Sequence, residues 1–136
     1  MYVAIASAAM SDDAFLAAFN NCTLPGSWFR HGDHLRLAWI QLHRHPFGDA
    51  LAAVREGIRN YATHNGMPNL FHETITTAWV KLLATHHEPT FGQFISENEH
   101  RLNLELLHRF WTPELLASDA ARSSWLPPDR APLPAA

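Results

Sequence analysis

Apolar positions along the chain recur at the spacing of helices that bury one face. Leu35, Ala38, Trp39 and Leu42 occupy positions i, i+3, i+4 and i+7, and later segments repeat this pattern. No segment alternates between apolar and polar residues as a half-buried strand does. The pattern therefore predicts an all-α protein, with six to seven helices in a single compact domain and a bundle-like core.

Capping residues, prolines and glycines set the expected helix ends. Asp33 and Asn69 are the predicted N-caps of the second and fourth helices, and Asn65-Gly66 is a stop signal. Thr112-Pro113 opens the last predicted helix. The predicted helices run approximately over residues 12–19, 33–45, 49–64, 70–86, 91–97, 101–111 and 113–125.

The ends of the chain differ from its middle in composition. Residues 1–10 are expected to form a lightly packed N-terminal extension, and residues 127–136 a proline-rich tail. The helical domain is therefore predicted to cover residues 11–126.

Composition excludes some classes of partner. With 136 residues, of which 47% are hydrophobic, the chain can bury one core. The net charge of −3 and the absence of a basic run argue against a nucleic-acid partner. No apolar run is long enough to span a membrane. Cys22 is the only cysteine, so no internal disulfide forms, and we expect a cytoplasmic protein.

Ten histidines draw attention to two short motifs. The first motif contains His31 and His34, three residues apart near a helix start, where a neutral imidazole is favoured. Arg30 and Arg36 flank this pair and can hold an anionic group of a ligand. Trp39 lies on the same helix, where it can wall a pocket or simply pack in the core.

The second motif begins the fourth predicted helix. His72 and Glu73 are adjacent there, so their side chains point about 100° apart and do not both face one centre easily. Thr76 and Trp79 follow His72 on its face of the helix. We predict His72 as a metal ligand and Glu73 as the candidate catalytic carboxylate. An equally good interpretation of Glu73 is that its negative charge interacts favourably with the dipole at the helix N-terminus.

Three functional hypotheses follow from these motifs. In the first, His31, His34 and His72 bind a divalent Zn, Fe, Cu or Ni ion, with Glu73 or water nearby, as in a small metalloenzyme. In the second, the site is a metal-free pocket in which the histidines act as a general base or as hydrogen-bond donors to a small acidic ligand held by Arg30 or Arg36. Thr76, Trp39 and Trp79 are the other predicted ligand-binding residues. In the third, the histidines satisfy buried hydrogen bonds, and the protein is a homo-oligomer or an interaction module.

The two motifs resemble a group of small bacterial all-helical proteins. The shared patterns are His-x-Asp-His-Leu-x-x-Ala-Trp, here residues 31–39, and Phe/Tyr-His-Glu-Thr-Ile-Thr, here residues 71–76. Residues 112–122 and the prolines after residue 127 are similar as well. The resemblance implies a compact all-helical fold and points to the same histidines, and it carries no activity with it.

Overall fold

The structure, a computed structural model, describes residues 3–135, which are all-α as predicted. These residues form eight α-helices and no β-strand. The helices are α1 (Asp12–Asn20), α2 (His31–Arg44), α3 (Phe47–His64), α4 (Glu73–Leu83), α5 (Phe91–Asn98), α6 (Leu104–Leu107), α7 (Pro113–Leu116) and α8 (Asp119–Ser123), with 3₁₀ turns at Pro68–Leu70 and Glu99–Arg101. Within the described range, no helix combines the length and apolar character that crossing a bilayer needs.

Two of the predicted helices are broken into shorter ones. The segment 101–111 is helical only in α6, because Asn103 caps a new helix by accepting the backbone N–H of Leu106. The last helix divides into α7 and α8, because the hydroxyl of Ser118 accepts the backbone N–H of Ala121 and starts a new helix. A capping side chain inside an apolar pattern therefore interrupts the helix that the pattern predicts.

Contacts between Cα atoms divide the chain into two units. The N-terminal unit, Ala4–Phe71, contains α1 to α3. The C-terminal unit begins at His72, includes Val3 and contains α4 to α8. The first histidine motif lies in the N-terminal unit and the second in the C-terminal unit.

Aromatic side chains build the core of the N-terminal unit. The ring of Phe19 lies 4.8 Å from that of Phe29 and 5.4 Å from that of Tyr61. The Tyr61 hydroxyl donates to the carbonyl of Leu24 at 2.6 Å, which satisfies its polar end inside the core. A Cβ atom at Gly57 would lie 2.7 Å from the Phe19 ring, so glycine lets α3 approach this cluster closely.

Trp111 is the largest fully buried side chain among the described residues and belongs to the C-terminal unit. Its indole N–H donates to the Leu126 carbonyl at 2.9 Å, and its ring meets Trp125 edge to face at 5.6 Å. The hydroxyl of Thr74 on α4 donates to the Ser124 carbonyl and accepts the Leu126 N–H. These contacts hold the segment that follows α8 against the helices of the same unit.

Candidate functional site

His31 and His34 both lie in the first turn of α2. The helix begins at His31, with Arg30 as its N-cap residue, so the prediction that Asp33 caps this helix was wrong. The ring of His34 stacks on Phe29 at 4.1 Å, whereas His31 is exposed. Burial, reinforced by the neighbouring His31, lowers the pKa of His34 to about 4 despite an opposing hydrogen bond with the Phe29 backbone. His34 is therefore neutral at physiological pH.

Asp33 is fully buried and holds residues 4–10 instead of capping α2. Its carboxylate accepts the backbone N–H groups of Ala6 and Ser7 at 3.1 and 3.0 Å, and also the Ser7 hydroxyl. A Cβ atom at Gly32 would lie 2.2 Å from the Ala4 carbonyl oxygen, so only glycine permits this approach. The segment expected to be a lightly packed extension is thus bonded to α2, because a buried carboxylate needs donors and Ala6 and Ser7 supply them.

Arg36 completes the attachment of the same segment. Its Nη1 donates to the Ser7 carbonyl at 2.6 Å, and its Nη2 donates to the Met10 carbonyl at 2.7 Å and to the Asp12 carboxylate at 3.0 Å. Its guanidinium also lies 4.8 Å from the centre of the Phe15 ring. These contacts explain why an arginine is buried on α2, and they direct its charge toward the protein's own backbone.

Arg30 and Trp39 occupy different surroundings from Arg36. Arg30 is exposed, and its Nε donates to the Ser27 carbonyl at 3.0 Å. Trp39 is buried and stacks on the His43 ring at 4.3 Å, while His43 Nδ1 contacts the Trp39 carbonyl at 2.8 Å. Both residues remain candidates for ligand contact, and neither lines the cavity of the C-terminal unit that is described below.

His72 is the N-cap residue of α4, so the predicted cap at Asn69 was wrong. Its Nδ1 accepts the backbone N–H of Ile75 at 3.1 Å, and its Nε2 lies 2.9 Å from the Leu116 carbonyl on α7. A carbonyl can only accept, so the ring proton lies on Nε2. Burial lowers the pKa of His72, which agrees with a neutral ring. Both ring nitrogens are thus used inside the C-terminal unit.

Glu73 and Thr76 lie in the first turn of α4 after His72. Glu73 is buried, and its Oε2 accepts the Thr77 hydroxyl at 3.1 Å. Thr76 is half-buried, and its backbone N–H donates to the His72 carbonyl. The two residues lie on the same turn as His72, as predicted, and their roles in catalysis and ligand binding stay predictions.

The three histidines of the metal hypothesis are divided between the two units, with His31 and His34 in one and His72 in the other. Among residues 3–135, no group of three or more His, Cys, Asp or Glu side chains is arranged to hold a metal ion. The metal site stays a prediction from the sequence.

The C-terminal unit contains a cavity of about 140 Å³. Trp79, a predicted ligand-binding residue, lines this cavity on α4. The other apolar lining residues come from α4, α5, the segment 102–110 and the tail: Leu82, Leu83, Phe94, Leu102, Leu106, Phe110 and Pro134. Polar groups also reach the cavity, from Thr85, His86, Asn98, Arg101 and Arg109. A mostly apolar wall with a few polar groups is typical of sites for small molecules.

His86 is held at the cavity wall by a carboxylate. Its Nδ1 lies 3.2 Å from Oε1 of Glu88, and Asn98 donates to the other oxygen of Glu88 at 2.9 Å. Burial alone would raise the pKa of Glu88, but hydrogen bonds from its own backbone, Asn98 and His86 outweigh burial and lower it. An ionised Glu88 keeps a proton on Nδ1 of His86, so the imidazole has a fixed orientation.

A second, more open depression of about 290 Å³ lies next to the cavity. This outer groove is lined by His100, Arg101, Asn103, Glu105, Leu106 and Arg109. Arg101, Leu106 and Arg109 line both the cavity and the groove. The two arginines therefore lie where an apolar interior meets a polar exterior.

Arg101 and Arg109 are not among the site residues predicted from the sequence. They are eight residues apart, and the helix that would have related them is interrupted between Arg101 and Leu104. Leu102, Leu106 and Phe110 are apolar residues of the predicted helix 101–111, and all three line the cavity. The sequence does show that each arginine immediately precedes one of these apolar residues, Arg101 before Leu102 and Arg109 before Phe110.

Comparisons with known protein families, with curated proteins and with solved structures found no significant match. The functional assignment therefore depends on the geometry of the cavity and on the chemistry of its walls.

Proposed function

We propose that the protein binds a small organic molecule in the cavity of the C-terminal unit. The observation that carries the proposal is the lining of this cavity, where aromatic and aliphatic side chains surround the space and two arginines stand at one side. Such a combination of apolar walls and few polar groups favours a ligand with an apolar body. Like the second hypothesis from the sequence, the proposal is a metal-free site for a small molecule, but the place differs: of the residues predicted for that pocket, Trp79 alone is among the residues that line this cavity.

The size of the cavity limits the ligand. An engineered protein cavity of about 150 Å³ binds benzene, so a space of about 140 Å³ suits one six-membered ring or a short aliphatic chain. Pockets for drug-sized molecules are larger, about 300 Å³ or more. A ligand of this size has few atoms to bind, and we expect a dissociation constant on the order of 1 mM for a single-ring probe.

The experiment is a ligand-detected NMR titration with 2-phenylethanol, a neutral single-ring probe. Leu106 lines the cavity and is half-buried, so Leu106→Trp fills part of the space. Leu104→Trp is the matched control, because Leu104 lies on the same short helix and is 49% exposed. We expect saturable binding that weakens at least tenfold in Leu106→Trp and is unchanged in Leu104→Trp. Absence of binding, or an equal effect of the two tryptophans, would refute the proposal.

A further inference from the structure

Arg101 and Arg109 are placed to recognise a charge on the ligand. Both side chains are exposed, and both line the cavity as well as the outer groove. Across the described range, neither guanidinium has a hydrogen bond or an ion pair to another residue of the chain, in contrast to buried Arg36. Two guanidinium groups at the boundary of one cavity are typical of sites for carboxylates and phosphates.

The charges around the groove support the same conclusion. The groove is lined by two arginines and His100, with Glu105 as its acidic group. Glu88, which is near the inner cavity, is already bonded to His86 and Asn98. The groove is therefore locally positive on a chain whose net charge is −3, and this local excess favours an anion over a cation.

We infer that the ligand is a small amphipathic acid. Its apolar body lies in the cavity against Trp79 and Phe94, and its carboxylate lies in the outer groove between Arg101 and Arg109. This arrangement satisfies both parts of the ligand, because the ring leaves water and the carboxylate stays at a polar, solvated boundary. The inference rests on the proposed function and adds the chemical class of the ligand.

The test compares phenylacetate with 2-phenylethanol, which share the ring and the two-carbon side chain but differ in charge. We expect phenylacetate to bind about tenfold more tightly at low ionic strength, with the advantage decreasing as salt is added. Arg101→Gln and Arg109→Gln should each weaken phenylacetate about threefold, and the double variant about tenfold. Each of these variants should weaken phenylacetate more than 2-phenylethanol, because the hydroxyl group of 2-phenylethanol carries no charge for a guanidinium group to pair with.

Two further variants sharpen the test. Glu105→Gln removes the carboxylate of the groove and should strengthen phenylacetate binding by about twofold to threefold. Arg44→Gln changes the net charge as the other arginine variants do, but Arg44 lies on α2 in the N-terminal unit. It should leave the affinity for phenylacetate as it is.

The outcomes separate the inference from the proposed function. Equal affinities for the two probes, with no effect of Arg101→Gln and Arg109→Gln, would overturn the inference and leave the proposed function standing. A comparable loss in Arg44→Gln would also overturn it, because the effect would then come from net charge. If neither probe binds, the proposed function fails and the inference fails with it.

Discussion

Replacing Asp33 by asparagine tests whether a buried carboxylate holds residues 4–10 on α2. Asparagine has one acceptor oxygen, and its NH₂ group would face the backbone N–H of Ala6 or of Ser7. One charge-assisted hydrogen bond is lost, which costs about 1.5–3 kcal/mol, and the remaining bonds become neutral and roughly half as strong. We therefore expect Asp33→Asn to lower the free energy of unfolding by about 3 kcal/mol.

The assay is urea unfolding at pH 7, followed by far-ultraviolet circular dichroism. For a chain of this length, a loss of about 3 kcal/mol corresponds to a decrease in Tm of about 10 °C. Amide hydrogen exchange should also become faster in the peptide that contains Ala6 and Ser7, because their N–H groups lose their acceptor.

Asp13→Asn is the matched control for this change. Asp13 pairs with Arg44 at 2.9 Å, but its side chain is 86% exposed, and exposed pairs of this kind contribute less than about 1 kcal/mol. The control should lower the free energy of unfolding by no more than about 0.5 kcal/mol. A cost below about 1 kcal/mol for Asp33→Asn, or equal destabilisation of the two variants, would show that the Asp33 carboxylate does not hold residues 4–10 on α2.

Other predictions concern the histidines. The folded pKa of His34, about 4, lies below its unfolded value of about 6.5, so the unfolded chain binds a proton first as the pH falls. Protonation of His34 in the unfolded chain should therefore lower the free energy of unfolding by about 3 kcal/mol between pH 7 and pH 4. In urea titrations at a series of pH values, His34→Gln should lack this part of the decrease. His72→Asn keeps a capping side chain but leaves the Leu116 carbonyl unpaired, so it should cost about 1–2 kcal/mol, and His72→Ala should cost more. Since both ring nitrogens of His72 are bonded, we expect Zn²⁺ to change the Tm of tag-free protein by less than about 1 °C; a clear stabilisation that His72→Asn abolishes would instead support the three-histidine metal site.

The sequence predicted where helices occur better than where they begin and end. Apolar spacing depends on local geometry, so the helical stripes on α2, α3 and α4 are visible in the sequence. Helix ends were harder to predict, because they depend on distant residues. Asp33 resembles an N-cap, but it accepts hydrogen bonds from Ala6 and Ser7, which precede it by 27 and 26 positions. His72 is an uncommon N-cap residue, and its second hydrogen bond reaches Leu116, which is 44 residues later.

The residues of the candidate site were predicted only in part, because they come from segments that are distant in the sequence. Trp79 was proposed as a ligand-binding residue from its position on the helix that follows His72, and it lines the cavity. Arg101 and Arg109 were missed, because the turn and the short helix between them remove any regular spacing. A cavity is made by residues from several elements, and a single sequence shows each element without their arrangement.

We expect the segment that follows α8 to control how fast a molecule bound as proposed leaves the cavity. Pro134 forms part of the cavity wall, and the stretch before it is attached through Asp129 to Thr112 and through Arg130 to the carbonyls of Phe110 and His108. Detaching this stretch breaks these hydrogen bonds near the surface and removes Pro134 from the cavity wall. The residence time of a ligand should therefore depend on how often the stretch detaches, and Asp129→Ala should speed dissociation more than it weakens affinity.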